Sequence, residues 1–181
     1  MRAAKLLLTV GWLALLAGRP PLALGCPSEC SCNKAAQIAD CSNRQLLRIP
    51  SNFPKDTKRI RLERNNITEI EPFAFEGLKR LQRIDLSNNN LARIDPQAFS
   101  GGLQSLNSLI LYRNKLRQLP ANVFAELSHL QLLLLNANSL QCVQRDMFLP
   151  LANLNLLSLH DNNIETLQNG TFDGLRNIKT M

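Results

Sequence analysis

Aromatic residues make up only 5% of this 181-residue chain, and histidine occurs just twice. The two histidines, His129 and His160, stand in different stretches, neither beside a cysteine nor an acidic cluster. No G-x-S-x-G, P-loop or H-E-x-x-H phrase is present. The chain therefore reads as a non-enzyme without metal or cofactor. It also lacks a Pro/Gly/Ser-rich linker, which argues against a second domain. One apolar run, Leu6 to Ala17, follows Arg2 and Lys5 and precedes the small residues of Ala23-Leu24-Gly25. It is too short for a membrane span and has the layout of a secretory signal peptide, residues 1–25. A lipoprotein signal also ends before a cysteine, but Leu24 fits it poorly. No other stretch could cross a membrane. Removing that segment takes Arg2, Lys5 and Arg19 from the 21 basic residues against 14 acidic, leaving +4, too mild for a nucleic-acid binder.

What the sequence has in abundance is repetition. Asn65, Asn89, Asn114, Asn138 and Asn162 recur at intervals of 24, 25, 24 and 24 residues. Around each, aliphatic residues stand eight, five and three places before and two and five after, Thr57 being the one exception. A phenylalanine follows ten places on, at Phe75, Phe99, Phe124, Phe148 and Phe172. The phrase is the leucine-rich-repeat pattern L-x-x-L-x-L-x-x-N-x-L. Its L-x-L pair alternates with period two, as a short half-buried strand does. Each asparagine can then satisfy backbone groups of its own and the neighbouring turn, while the later Leu or Ile and the Phe fill the core from the other side. No such coil buries its apolar face alone, so the coils must stack. The prediction is an α/β-type leucine-rich-repeat solenoid. Short parallel strands form its concave face, and irregular, 3-10 or short helical turns its convex face. Gly101-Gly102 supplies the extra residue of the 25-residue interval, as a convex-side turn.

Cys26, Cys30, Cys32 and Cys41 cluster directly after the signal segment, and Cys142 stands apart. In an oxidising route four clustered cysteines mean two disulfides, with three connectivities open. Zinc is disfavoured by that route and by the lack of a nearby histidine. Cys142, beside Val143 in a repeat, reads as a packed free thiol. The organisation is then a cysteine-rich N-terminal cap at 26–56, five repeats at 57–177, and the start of a sixth at 178–181. Two N-x-T sequons follow, at Asn66 and Asn169. Asn169, in a convex loop, reads as the better acceptor, and Asn66 as crowded near the concave edge.

The outward positions of the strands form columns. Six places before the asparagines come Arg59, Arg83, Ser108, Leu132 and Leu156; four before, Arg61, Asp85, Ile110, Leu134 and Ser158. Two before come Glu63, Ser87, Tyr112, Asn136 and His160; one before, Arg64, Asn88, Arg113, Ala137 and Asp161. A merely solvated face would be polar throughout. Here Ile110, Leu132, Leu134 and Leu156 are adjacent aliphatics, with Tyr112 and His160 alongside, and Arg59, Arg61, Arg64 and Arg83 form a basic rim. Contiguous exposed apolar groups with a charged rim mark a protein interface. Leucines packed under a loop, or a register slip, would mimic this, but five phased asparagines oppose a slip.

The segments RLERNNITEI, QRIDLSNNN, LILYRNK, LQLLLLNAN, NLLSLHDNN and NGTFDGLRNIKT resemble the second leucine-rich-repeat domain of Slit proteins, from about Cys26 to Met181. The resemblance implies a secreted axon-guidance ligand whose concave face binds the first immunoglobulin domain of Robo receptors, with heparan sulfate assisting. It implies Arg61, Glu63, Arg83, Asp85, Tyr112, Leu134 and Asn136 as contacts. It also implies the pairings Cys26–Cys32 and Cys30–Cys41 in a cap over the first coil. The chain departs from that family at His160, usually tyrosine, and Arg113, usually glycine; both changes bear on receptor binding. It also places the signal segment directly before Cys26 and stops inside the sixth coil, so an uncovered last coil prone to association is expected. Alternative readings are another extracellular recognition protein, of immune-receptor or matrix type, or a glycosaminoglycan-binding structural protein using the arginine strip.

Overall fold

The structure is a computed structural model that describes residues 25–181. The signal segment lies outside the described residues, Gly25 excepted. Among the described residues eleven short strands carry the architecture: β1 (Ser31–Asn33), β2 (Ile38–Asp40), β3 (Arg59–Arg61), β4 (Glu69–Ile70), β5 (Arg83–Asp85), β6 (Arg93–Ile94), β7 (Ser108–Ile110), β8 (Leu132–Leu134), β9 (Cys142–Val143), β10 (Leu156–Ser158) and β11 (Thr166–Leu167). One seven-stranded sheet runs β1-β2-β3-β5-β7-β8-β10, parallel except for the β1–β2 pair. Its middle residues, Ala39, Ile60, Ile84, Leu109, Leu133 and Leu157, point inward and are all but inaccessible. That follows from the side-chain alternation of a strand, which sends flanking residues to the opposite, concave face.

Among the described residues the convex side carries no helix. It is built of turns and two small parallel pairs, β4–β6 and β9–β11. The phenylalanines stack within it, Phe75 on Phe99, and Phe148 between Phe124 and Phe172, with centroids 5.9–6.3 Å apart. Gly101 and Gly102 make the convex turn of the longer repeat at φ +100° and +98°, values that favour glycine.

The asparagines form a ladder. Asn114 Nδ2 donates to the carbonyls of Leu86 and Leu111, both at 3.0 Å, and its Oδ1 accepts from the N–H of Leu91 at 3.0 Å. Asn89, Asn138 and Asn162 repeat the pattern one coil apart. Each amide therefore joins two successive turns, whose curvature leaves those backbone groups without sheet partners. Asn65 does the same with the N-terminal region, accepting from Arg44 and Leu46 and donating to the Cys41 carbonyl. Disulfides join Cys26 to Cys32 and Cys30 to Cys41 there, and Cys41 is fully buried.

Cys142 differs from the sequence-based reading, and one recurring backbone feature has no counterpart in it. Cys142 is a free thiol but is exposed, not packed. In β9 alternation gives the inward place to Val143 and turns Cys142 outward, level with Thr166 of β11. The recurring feature concerns a backbone position. Arg64, Asn88, Arg113, Ala137 and Asp161, each one place before a ladder asparagine, all have φ between 52° and 58°. The chain leaves every concave strand through a left-handed residue. Towards the end of the stack, Ile164 and Phe172 are half-buried and Leu167 is 53% exposed, where its counterpart Val143 is buried. Thr180 bridges to Leu156 in parallel fashion.

Candidate concave recognition face

Strand register sets the columns. Ile38, Arg59, Arg83, Ser108, Leu132 and Leu156 are successive partners across the sheet, and so are Asp40, Arg61, Asp85, Ile110, Leu134 and Ser158. Neighbours in a column stand about 4.8 Å apart, so side chains on adjacent strands share one surface. Leu132, Leu134, Leu156, Tyr112 and Asn136 are half-buried on that face, and His160 is exposed, with Nδ1 3.1 Å from Asp161 Oδ2. Ile110 needs correction as a contact residue, since it is only 2% exposed. It lies in register between Asp85 and Leu134 on β7, with β5 and β8 paired on either side. It adds almost nothing to the accessible surface of the apolar strip.

The arginines do not form a simple positive rim. Arg61 donates through Nε and Nη2 to Glu63 Oε1, at 3.0 and 2.6 Å, and through Nη1 to Asp40 Oδ2 at 2.8 Å. Asp40 belongs to β2, ahead of the first repeat, and sequence reasoning missed it. Burial raises the Asp40 pKa. Hydrogen bonds from the Ser42 hydroxyl and N–H, then Arg61 and Arg44, outweigh that and hold its carboxyl below the usual aspartate value. Hydrogen bonding and charge from Glu63, then Asp40, push the Arg61 guanidinium further up. The same D-x-S phrase recurs at Asp85, whose Oδ1 accepts from the Ser87 hydroxyl at 2.7 Å and N–H at 3.1 Å. That recurrence, Asp40-Cys41-Ser42 and Asp85-Leu86-Ser87, was the signal available in the sequence. Arg83 Nη2 lies 3.7 Å from Asp85 Oδ2, an ion pair but not a hydrogen bond. Arg59 and Arg64 are exposed and have no acidic partner within ion-pair distance among the described residues.

Beside these arginines a groove of about 540 Å³ is lined by Arg59, Arg61, Gln82, Arg83, Asp85 and Ser108, among others. Ser108 is 7% exposed and its hydroxyl has no hydrogen-bond partner among the described residues. Leaving a buried hydroxyl unsatisfied costs about 1–3 kcal/mol. The two sequon asparagines, Asn66 and Asn169, are both exposed. Thr68 is exposed as well, whereas the Thr171 hydroxyl is buried and donates to the Gln168 carbonyl at 2.7 Å.

A family profile described as leucine rich repeat matches residues 56–102 and 128–181, more than half of the chain. The chain belongs to the leucine-rich repeat family. Its curated relatives are extracellular or cell-surface repeat proteins. Biglycan of Xenopus laevis is 44% identical over 64 residues, covering 35% of this chain and 17% of that protein. Mouse reticulon-4 receptor-like 1 is 40% identical over 63 residues, 35% of this chain and 14% of its own length. The mouse leucine-rich repeat and immunoglobulin-like domain-containing nogo receptor-interacting protein 3 is 34% identical over 73 residues, covering 40% and 12%. The chain thus spans less than a fifth of these relatives. Among solved structures, the TLR13–ssRNA13 complex superimposes with a TM-score of 0.73 at 30% identity, covering 81% of this chain and 21% of that one. Among the described residues no helix is long and apolar enough to cross a membrane.

Proposed function

We propose that this leucine-rich repeat chain acts as a secreted recognition protein whose concave face docks an immunoglobulin-domain cell-surface receptor of Robo type, in axon guidance or cell migration. The observation that carries the reading is the half-buried strip of Leu132, Leu134, Leu156 and Tyr112, placed beside the mixed-charge cluster of Arg61, Glu63, Arg83 and Asp85. Apolar side chains of this kind supply affinity on desolvation, and the charged cluster supplies orientation and on-rate. The Slit-like outward residues support the choice of receptor class. Heparan sulfate is the second partner, met by the exposed Arg64, which lies outside the groove. A role resting on glycosaminoglycan binding alone is less well supported, because Arg61 and Arg83 already face carboxylates on the same surface.

Surface plasmon resonance of the chain, produced through a secretory route, against a Robo first immunoglobulin domain tests the reading. Binding that disappears in the Tyr112→Ala/Leu134→Ala double variant is the expected result. A folded wild type that does not bind would assign the face to another partner.

A further inference from the structure

The column Arg59, Arg83, Ser108 passes from the first repeat into the middle of the sheet, each residue the register partner of the next. Arg59 has no acidic partner among the described residues. Arg83 is held only loosely, because one oxygen of Asp85 is taken by Ser87 and the other lies 3.7 Å away. Arg61, in the next column, is paired with both Glu63 and Asp40. Ser108 is more than nine-tenths buried, lines the same groove, and its hydroxyl has nothing to donate to. Its backbone N–H, by contrast, is satisfied by the Gln82 carbonyl at 3.0 Å. The groove therefore holds two guanidinium forks and one idle hydroxyl donor on successive register positions, and a carboxylate, with about four lone-pair sites on two oxygens, matches that set.

We propose that Arg59, Arg83 and Ser108 form a seat for a single carboxylate, an aspartate or glutamate side chain of the protein docked in the concave face. The assignment rests on the docking role above and gives that face a specific anchor. Asp85 at the groove's edge, with Glu63 and Asp40 beyond it, repels any ligand carrying charge along its length. A sulfated polysaccharide would have to lie across those three acids, whereas a lone carboxylate stops short of them.

The test is nuclear magnetic resonance titration of the full chain, read at the arginine Nε–H and Ser108 amide signals. The probe is N-acetyl-glutamate N-methylamide, a side-chain carboxylate with no other charge. Parallel titrations use inorganic sulfate and a heparin tetrasaccharide. Saturable shifts at Arg59, Arg83 and Ser108 are expected with the carboxylate, weakened about tenfold or more in Arg59→Gln, as for loss of a charge-assisted hydrogen bond. Ser108→Ala should weaken the probe while raising the melting temperature, because it removes the idle hydroxyl; a serine outside the seat would raise the melting temperature and leave the probe unchanged. No saturable shift, or tighter binding of the tetrasaccharide at the same signals, overturns the seat. Receptor binding measured on the same sample separates the two ideas. Receptor binding without probe binding sinks the seat alone, and probe binding without receptor binding sinks the docking partner alone.

Discussion

Arg61 Nη1 lies 2.8 Å from Asp40 Oδ2, so the first repeat is tied to the disulfide-bonded N-terminal region through the concave face as well as through the core. Asp40 has a folded pKa below its ordinary value, near 3.9 when unfolded. A depressed carboxylate contributes stability above its unfolded pKa and loses it as pH falls through the folded one. The stability difference between wild type and Asp40→Asn should therefore be level between about pH 5 and 7, then shrink below about pH 4. Thermal melts of both proteins across that range check it. A difference that grew on acidification would contradict the ion-pair account.

The ladder asparagines should rank by burial. Asn114→Ala leaves the Leu91 N–H without its partner and takes one of two amide donors from the Leu86 and Leu111 carbonyls, which keep those of Asn89 and Asn138, so it costs about 1–3 kcal/mol. Asn162 makes the same bonds but is only half-buried, so water can replace part of them and Asn162→Ala should cost less. Urea unfolding midpoints of the two variants give the comparison directly.

Ala137 has φ 52°, a conformation in which a Cβ is crowded by its own carbonyl. Ala137→Gly should stabilise the chain by about 1 kcal/mol, contrary to the usual effect of adding glycine. Phe73, with φ 55° and 42% exposed, should respond in the same direction to Phe73→Gly. A lowered melting temperature in both variants would mean that these side chains make packing contributions larger than the strain.

Cys142 should react as a single thiol per native chain. Titration with a disulfide reagent before and after reduction counts one and then five. Cys142→Ser should leave the melting temperature unchanged, since its side chain packs against nothing in the core; slow labelling that needs denaturant would restore the packed reading.

The repeat period carried most of the fold, because a buried asparagine and the aliphatics around it can serve only one geometry at that spacing. Leu109, Leu111 and Phe124 declare their burial by phase alone. What escaped the sequence was of two kinds. Ile110 has an outward phase, yet it is 2% exposed on a strand paired on both sides, and burial of an outward residue is a property of the assembled stack. Asp40 lies outside the repeat phase, so its arrival beside Arg61 depended on the N-terminal strand pairing in parallel with β3. The left-handed position one place before each asparagine was hidden because Arg64, Arg113 and Ala137 are not residues that advertise positive φ.

The interval from Asn89 to Asn114 is one residue longer than the others, yet Arg83 still faces Ser108 and Asp85 still faces Ile110. The surplus is absorbed in the Gly101-Gly102 turn on the outer surface. Coil length can thus drift on one side of this molecule without shifting any group presented on the other. The same single insertion within a three-residue strand would exchange its inward and outward side chains. In such a scaffold, changes of length accumulate on the back, and changes of recognition are confined to substitutions on the front.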